Sequence, residues 1–249
     1  MVHTKVQLPK EMKKLQDTTT NLDDFEFDAL KEAKNYRTSL LREFGSHLRG
    51  NVIEVGAGIG QITAELRVLP SIEKICSIEP EAKFCARIHA KFPDHDLVHG
   101  TIADLHRQHG WNAILSVNVL EHIEADENEL QNYFRLLQPM GGALCLFVPA
   151  RPEIYAPLDR DFGHFRRYTR HALRTKLEAA GFVVKQLRYY NLVGYFAWWI
   201  SFCLLKQRSF DPRSVRFFDR MIFPWVHWSE TKISAPPIGQ SLLALALAR

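Results

Sequence analysis

Residues 52–60 read Val-Ile-Glu-Val-Gly-Ala-Gly-Ile-Gly, an apolar run that ends in three alternate glycines. A buried strand running into a glycine-rich turn and then a helix brings backbone against a ligand, and a Cβ at the contact would block that approach. A dinucleotide site shows GxGxxG, which lets a pyrophosphate rest on the helix N-terminus. Here the third glycine falls one residue early, as GxGxG. Glu54 sits inside the strand just before the turn. Its carboxylate would repel a phosphate and attract a sulfonium or an ammonium. Glu79 closes the next apolar run, roughly 20 residues beyond the loop, where a carboxylate can accept hydrogen bonds from both hydroxyls of a ribose. Together these features point to a ligand that contains a nucleoside.

Two histidines are candidates for moving a proton. His164 sits in Gly-His-Phe-Arg-Arg-Tyr, after the fifth apolar strand, and His122 follows the fourth, beside Glu121. Ligands gather at such strand ends in open α/β sheets. Each has a plainer role available. His122 can hydrogen-bond locally at a helix start, and His164 with Arg166 and Arg167 can tie its loop to Asp159 and Asp161. His164 is preferred as the base, with the two arginines steadying an anionic acceptor and His122 orienting.

Strands and helices alternate around these positions. Short strands are expected at 51–55, 74–78, 97–99, 113–117 and 143–148, with helices at 61–67, 81–91 and 126–137. Short apolar strands between amphipathic helices indicate a parallel sheet covered on both faces. After Pro149 the rhythm breaks. Residues 150–167 read as a loop, Thr169–Ala180 as a helix closed by Gly181, Phe182–Tyr190 as a strand, and Ser241–Ala248 as a last strand with its leucines on one face. The expected fold is α/β: a Rossmann-like, mostly parallel seven-stranded sheet with helices on both faces and the last strand antiparallel. One domain spans 1–249. Residues 1–48 form an N-terminal segment, polar and frayed to about residue 22, then helical by the spacing of Leu30, Tyr36, Leu40, Leu41 and Phe44. Residues 191–240 form an aromatic-rich helical cap. Thirteen of the 28 aromatic residues fall between Tyr189 and Trp228, enough for a lid with its own small core and an apolar pocket. Resting on a membrane is the less favoured role for that surface.

VIEVGAGIG, SIEP, VHGTIADL, ILSVNVLEHI and LLQPMGGALCLFVPA resemble, in order and spacing, the successive motifs of class I S-adenosylmethionine-dependent methyltransferases. The resemblance covers roughly residues 35 to 190, and LDRDFGHFRRYTR is similar to a bacterial small-molecule branch. It implies that Gly56, Ala57 and Gly58 pass the methionyl part of S-adenosylmethionine, with Glu54 near its ammonium and Glu79 on the ribose. Thr101 and Ile102 would border the adenine, with Asp104 standing in for an acid that relatives carry at Thr101. Asn118 would face the methionyl end, and Tyr36 would close over the cofactor. Some relatives hold a divalent metal with Glu-x-x-Glu-His. The corresponding Asn118, Glu121 and His122 lack the first carboxylate, so no metal is expected.

The implied activity is methyl transfer to an oxygen or nitrogen of a small apolar or aromatic molecule. A nicotinamide-dependent oxidoreductase and a catalytically inactive cofactor-binding relative are the alternatives. The formal charge of +4 and the lack of a lysine-rich run give no reason to expect nucleic acid as a partner. The four scattered cysteines, without a CxxC pair, and the start without an apolar leader fit reduced thiols and a cytoplasmic protein. No motif specifies an oligomeric state.

Overall fold

The computed structural model describes residues 31–106 and 110–249. The expectations for residues 1–22 and for Leu30 lie outside the described residues. Seven strands form one sheet: β1 (Gly50–Val55), β2 (Ile72–Glu79), β3 (Asp96–His99), β4 (Ala113–Val117), β5 (Ala143–Pro149), β6 (Phe182–Tyr190) and β7 (Ser241–Ala248). Their order is β3-β2-β1-β4-β5-β7-β6. The first five are parallel, and β7 inserts between β5 and β6 antiparallel to both. From β1 the chain turns first toward β2 and later to β4 on the other side. The carboxyl ends of β1 and β4 therefore flank the crevice where an open α/β sheet binds its ligand.

Period-two alternation divides the side chains between two cores. Ile53, Ile78, Ile114 and Leu144 pack with Tyr133 of α4 (Asp126–Leu137) and Leu173 of α6 (Arg170–Ala179). Val52, Leu115, Cys145 and Phe147 pack with Leu40 and Phe44 of α1 (Lys34–Phe44) and Leu66 of α2 (Gln61–Leu66). On β7, Leu243 and Leu245 join this second core, whereas Ala244, Ala246 and Ala248 join the first. The expected leucine face is therefore present, and both faces of the strand are covered. Helix α3 (Ala82–Lys91) completes the β2–β3 crossover.

Residues 150–167, expected as a loop, contain the short helix α5 (Pro157–Asp161). Pro157 supplies the fixed φ of a first helical residue, and the Asp159 carboxylate accepts the Ala156 N–H at 2.7 Å. Five residues are too few to show a helical period, which is why the pattern passes unnoticed. Between β6 and β7 run α7 (Leu192–Trp198), a π-helical continuation at Trp199–Leu204, α8 (Pro212–Phe217), a second π segment at Phe218–Ile222, and α9 (Phe223–Lys232). Among the described residues, no helix is long and apolar enough to cross a membrane.

Candidate active site

The turn after β1 owes its shape to glycine. Gly56, Gly58 and Gly60 have φ values of 72°, 54° and 73°, in the left-handed region that side chains disfavour. A methyl group on Gly56 would fall 2.4 Å from Val119 Cγ2, so the turn lies directly on the chain leaving β4. The N–H groups of Gly56 and Ala57 both donate to the Ile78 carbonyl, at 2.9 and 3.1 Å. Beside them, Glu79 ends β2 with its carboxylate turned inward. One oxygen accepts the Gly58 N–H at 2.7 Å and the other the Glu81 N–H at 2.9 Å. Burial raises the Glu79 pKa, against the pull of these two donors. Each oxygen keeps a free lone pair, so the carboxylate can still accept from two ribose hydroxyls.

Glu54 is buried on the face covered by α1 and α2. Its Oε2 accepts from Thr63 Oγ1 at 2.6 Å and from Ser77 Oγ at 2.5 Å. Ser77 lies opposite Glu54 in the parallel register and is backed by His95 Nε2 at 2.7 Å. Arg67 reaches His95 Nδ1 at 3.3 Å, which makes a polar chain from α2's end to the glycine turn. Glu54 Oε1 is buried with no hydrogen-bond partner among the described residues. Desolvation outweighs the two hydroxyl donors and pushes the Glu54 pKa up to about 7. A buried carboxylate in this condition is short of a cation, and a ligand ammonium fits that need. Thr63, Ser77 and His95 are absent from the sequence reading. The signal for Ser77 was present, two residues before Glu79 and therefore on one strand face with it.

The other expected cofactor contacts are spread around this centre. Thr101 caps a short turn whose Ile102 is buried, and Asp104 Oδ2 accepts the Thr101 N–H and hydroxyl at 2.8 and 3.0 Å. Asp104 is thus already engaged in shaping the turn. Asn118 follows β4 at φ 52°, exposed, with its N–H donated to the Phe147 carbonyl at 2.8 Å. Tyr36 packs its ring on Phe147, Tyr190 and Phe223, with centroids 6.1, 5.6 and 4.9 Å away. These partners place Tyr36 in the seam between α1, the sheet and the segment after β6.

The two histidines come together. Their rings meet edge to face with centroids 4.6 Å apart. His164 Nδ1 lies 2.9 Å from Asp159 Oδ1, and its Nε2 lies 4.0 Å from Glu121 Oε1. Asp159 is fully buried and also receives the Arg167 guanidinium at 2.9 Å. Hydrogen bonding to His164 and the Arg167 charge lower its pKa despite desolvation. Desolvation, with the neighbouring His164 adding to it, lowers the His122 pKa, although the residue is also exposed to solvent on one side. Arg166 turns away to Asp126 at 2.9 Å and to the carbonyls of Ile123 and Glu124. Both arginines are therefore paired with carboxylates, Arg166 with Asp126 and Arg167 with Asp159. Asn118 does not share a helical turn with Glu121 and His122, because the turn here is a 3-10 turn over Leu120–His122. The ligand-type atoms that converge are those of Glu121, His122 and His164, all within 4.8 Å of one another.

A methyltransferase-domain family profile matches residues 29–187. No curated protein matches the chain in sequence. Among solved structures, the chain is similar to an S-adenosylmethionine-dependent methyltransferase from Mesorhizobium loti (16% identity, 83% of this chain and 95% of that one, TM-score 0.55). It is similar also to one from Clostridium acetobutylicum (10% identity, 86% and 91%, TM-score 0.54). Phosphoethanolamine N-methyltransferase 2 of Haemonchus contortus, solved with S-adenosyl-L-methionine, aligns over 99% of this chain and 61% of its own (12% identity, TM-score 0.60). The matched profile spans more than half of the sequence and the whole of the glycine turn, β4 exit and His164 loop, so the chain belongs to the methyltransferase-domain family, on the class I Rossmann-like fold.

Proposed function

We propose that this protein transfers a methyl group from S-adenosylmethionine to an oxygen or nitrogen of a small apolar or aromatic molecule. The observation that carries the reading is one continuous stretch of contacts. The glycine turn packs on Val119, three residues before His122, and His122 meets His164. In this reading Gly56, Ala57 and Gly58 offer backbone to the methionyl part and Glu54 faces its ammonium. Glu79 accepts from the ribose, Thr101 and Ile102 border the adenine, and Asn118 and Tyr36 close the methionyl end.

When bound, S-adenosylmethionine supplies an electrophilic methyl on a good leaving group, so alignment of the acceptor does most of the work. A base is needed where the acceptor must lose a proton. Asp159 accepts the Nδ1–H of His164 and leaves the Nε2 lone pair to take that proton. Glu121, 4.0 Å from Nε2, faces the imidazolium that results. His122, its ring edge-to-face with that of His164, has the orienting role.

The test is thermal shift. S-adenosylmethionine or its demethylated product should raise the melting temperature, because a ligand that binds only the folded state stabilises it by mass action. NAD should not. Equal or larger stabilisation by NAD would replace this reading with that of an oxidoreductase. A second reading rests on the convergence of Glu121, His122 and His164, which could hold a divalent cation against the acceptor. Chelation separates the two: activity lost to a chelator and restored by a divalent metal supports the cation, and unaffected activity supports the base.

A further inference from the structure

Large apolar side chains exposed to solvent are concentrated in one part of the chain. Of the fifteen among the described residues, eleven lie between Val193 and Ile233. Scattered exposed apolar residues are ordinary, but a gathered set marks a surface that meets something. The order within the set is helical. Along α8, its π segment and α9, Phe217, Met221, Trp225 and Trp228 follow at steps of four, four and three, and are 60%, 60%, 73% and 53% exposed. Such steps make one stripe. Asp219, Phe223, Val226 and Glu230, on the other side of the same rod, are buried. On α7 and its continuation, Phe196, Trp199, Ile200 and Leu204 are exposed, while Trp198 and Phe202 are buried.

Charge is sorted in the same sense. Residues 192–233 contain six cations (Lys206, Arg208, Arg213, Arg216, Arg220 and Lys232) and three acids, and all six cations are exposed. Two of the acids point inward. Asp219 accepts the N–H groups of Asn35 and Tyr36, and Glu230 those of Asn191 and Leu192. The third, Asp211, caps α8. Lys206, Arg213 and Lys232 form no ion pair among the described residues.

We propose that the outer face of residues 192–233 rests on an anionic lipid bilayer. Its tryptophans and aliphatic side chains would enter the boundary between headgroups and acyl chains, and its lysines and arginines would lie at the level of the phosphates. Exposed Trp and Phe flanked by cations, on helices that present one apolar face, is the pattern of interfacial helices. The protein lies on the bilayer rather than crossing it, since no described helix is long and apolar enough to span. A second copy of the chain fits less well, because a two-fold interface would set this cationic face against itself.

Flotation of the full chain tests this. It should float with phosphatidylcholine vesicles that contain about one-third phosphatidylglycerol, and less with phosphatidylcholine alone or in raised salt. Trp225→Ser with Trp228→Ser, and separately Arg213→Gln with Lys232→Gln, should each weaken partitioning by about tenfold or more. Affinity for S-adenosylhomocysteine should be unchanged in both variants, which shows that they fold. The proposal is overturned by failure to float with either vesicle, or by equal binding to neutral and anionic vesicles. It is also overturned if light scattering shows a dimer that the tryptophan variant dissolves while vesicles bind nothing.

Discussion

Replacing Glu79 by alanine should damage both binding and the turn that does the binding. The carboxylate is 4% exposed and accepts two backbone N–H groups, Gly58 at 2.7 Å and Glu81 at 2.9 Å. A hydrogen bond to a charged group contributes about 1.5–3 kcal/mol, so losing the pair would cost several kcal/mol if nothing offset it. The offset is the desolvation that the buried carboxylate no longer suffers, the same effect that raises its pKa. A net loss of about 1–3 kcal/mol of stability is expected, or roughly 2–4 °C of melting temperature per kcal/mol for a chain of this size. Loss of the ribose contacts adds about 1–3 kcal/mol to binding, which weakens the affinity for S-adenosylhomocysteine about 5–150-fold. Glu79→Gln keeps one acceptor and should fall between. Calorimetric titration of parent, glutamine and alanine forms, alongside melting curves, reads both quantities. An alanine variant that binds as tightly as the parent would remove Glu79 from the site. Unchanged stability would show that it does not organise the turn.

Glu54, with its pKa raised to about 7, contributes stability that is fully present below the unfolded carboxylate pKa and lost as pH rises through 7. Urea melts from pH 4.5 to 8 should show that loss, up to about 3 kcal/mol, absent in Glu54→Gln. If the ligand ammonium faces Glu54, binding near pH 7 should release protons, seen as an enthalpy that depends on the buffer. Gly56→Ala puts a methyl 2.4 Å from Val119 Cγ2 at φ 72°, and should cost about 2–4 kcal/mol in stability. Adding Val119→Ala should recover only the steric part, and full recovery would mean that the backbone is unstrained. With an identified acceptor, His164→Asn should abolish the acidic limb of the pH–rate profile, whereas His122→Asn should leave it. The reverse pattern exchanges their roles. His122→Asn should also flatten the loss of stability on acidification below the usual histidine range, since a depressed histidine pKa makes protonation favour unfolding.

The parts of this fold that were legible in the sequence are those with a period or a special backbone demand. β4 and β6 run over the residues expected, because their apolar runs are bounded by asparagine or glycine, and β7 does so as an apolar run between Gln240 and Arg249. The GxGxG turn could be read because only glycine tolerates three left-handed positions so close together. Partnerships across long sequence gaps were not legible. Nothing local to Glu54 announces Thr63, Ser77 and His95; the tie of His164 and Arg167 to Asp159 could be read, but not that Arg166 would leave for Asp126. Those choices depend on the register of β1 with β2 and on where α5 sets its carboxylate. The segment after β6 was read correctly as aromatic and helical. Which rings face inward could not be read there, because large apolar residues lie on both faces: Phe223 and Val226 are buried, whereas Trp225 and Trp228 are exposed.

Those same contacts change what is expected of the segment as a cover for the acceptor. Trp198 Nε1 donates to the Ile154 carbonyl at 3.0 Å, and the Arg167 guanidinium lies 4.4 Å over its ring while also holding Asp159. The first helix is thus fastened to the carboxylate that orients His164. The second is fastened elsewhere, through Asp219 to the start of α1 and through Glu230 to the start of α7. Between them, residues 205–209 are exposed throughout, with Arg208 paired to Asp161 at their surface. Opening costs least where buried contacts are fewest. Amide exchange should therefore be slow at 198–203 and 219–230 even without ligand, and fastest at 205–211. S-adenosylhomocysteine and acceptor together should slow the stretch 192–211, which is tied to the site through Trp198 under Arg167 and through Phe210 stacked on Phe162 beside His164. If the whole segment exchanges rapidly until ligand binds, it is a hinged lid and these anchors are weak. If no part of it responds to ligand, it is fixed framework, and the acceptor must enter by another face.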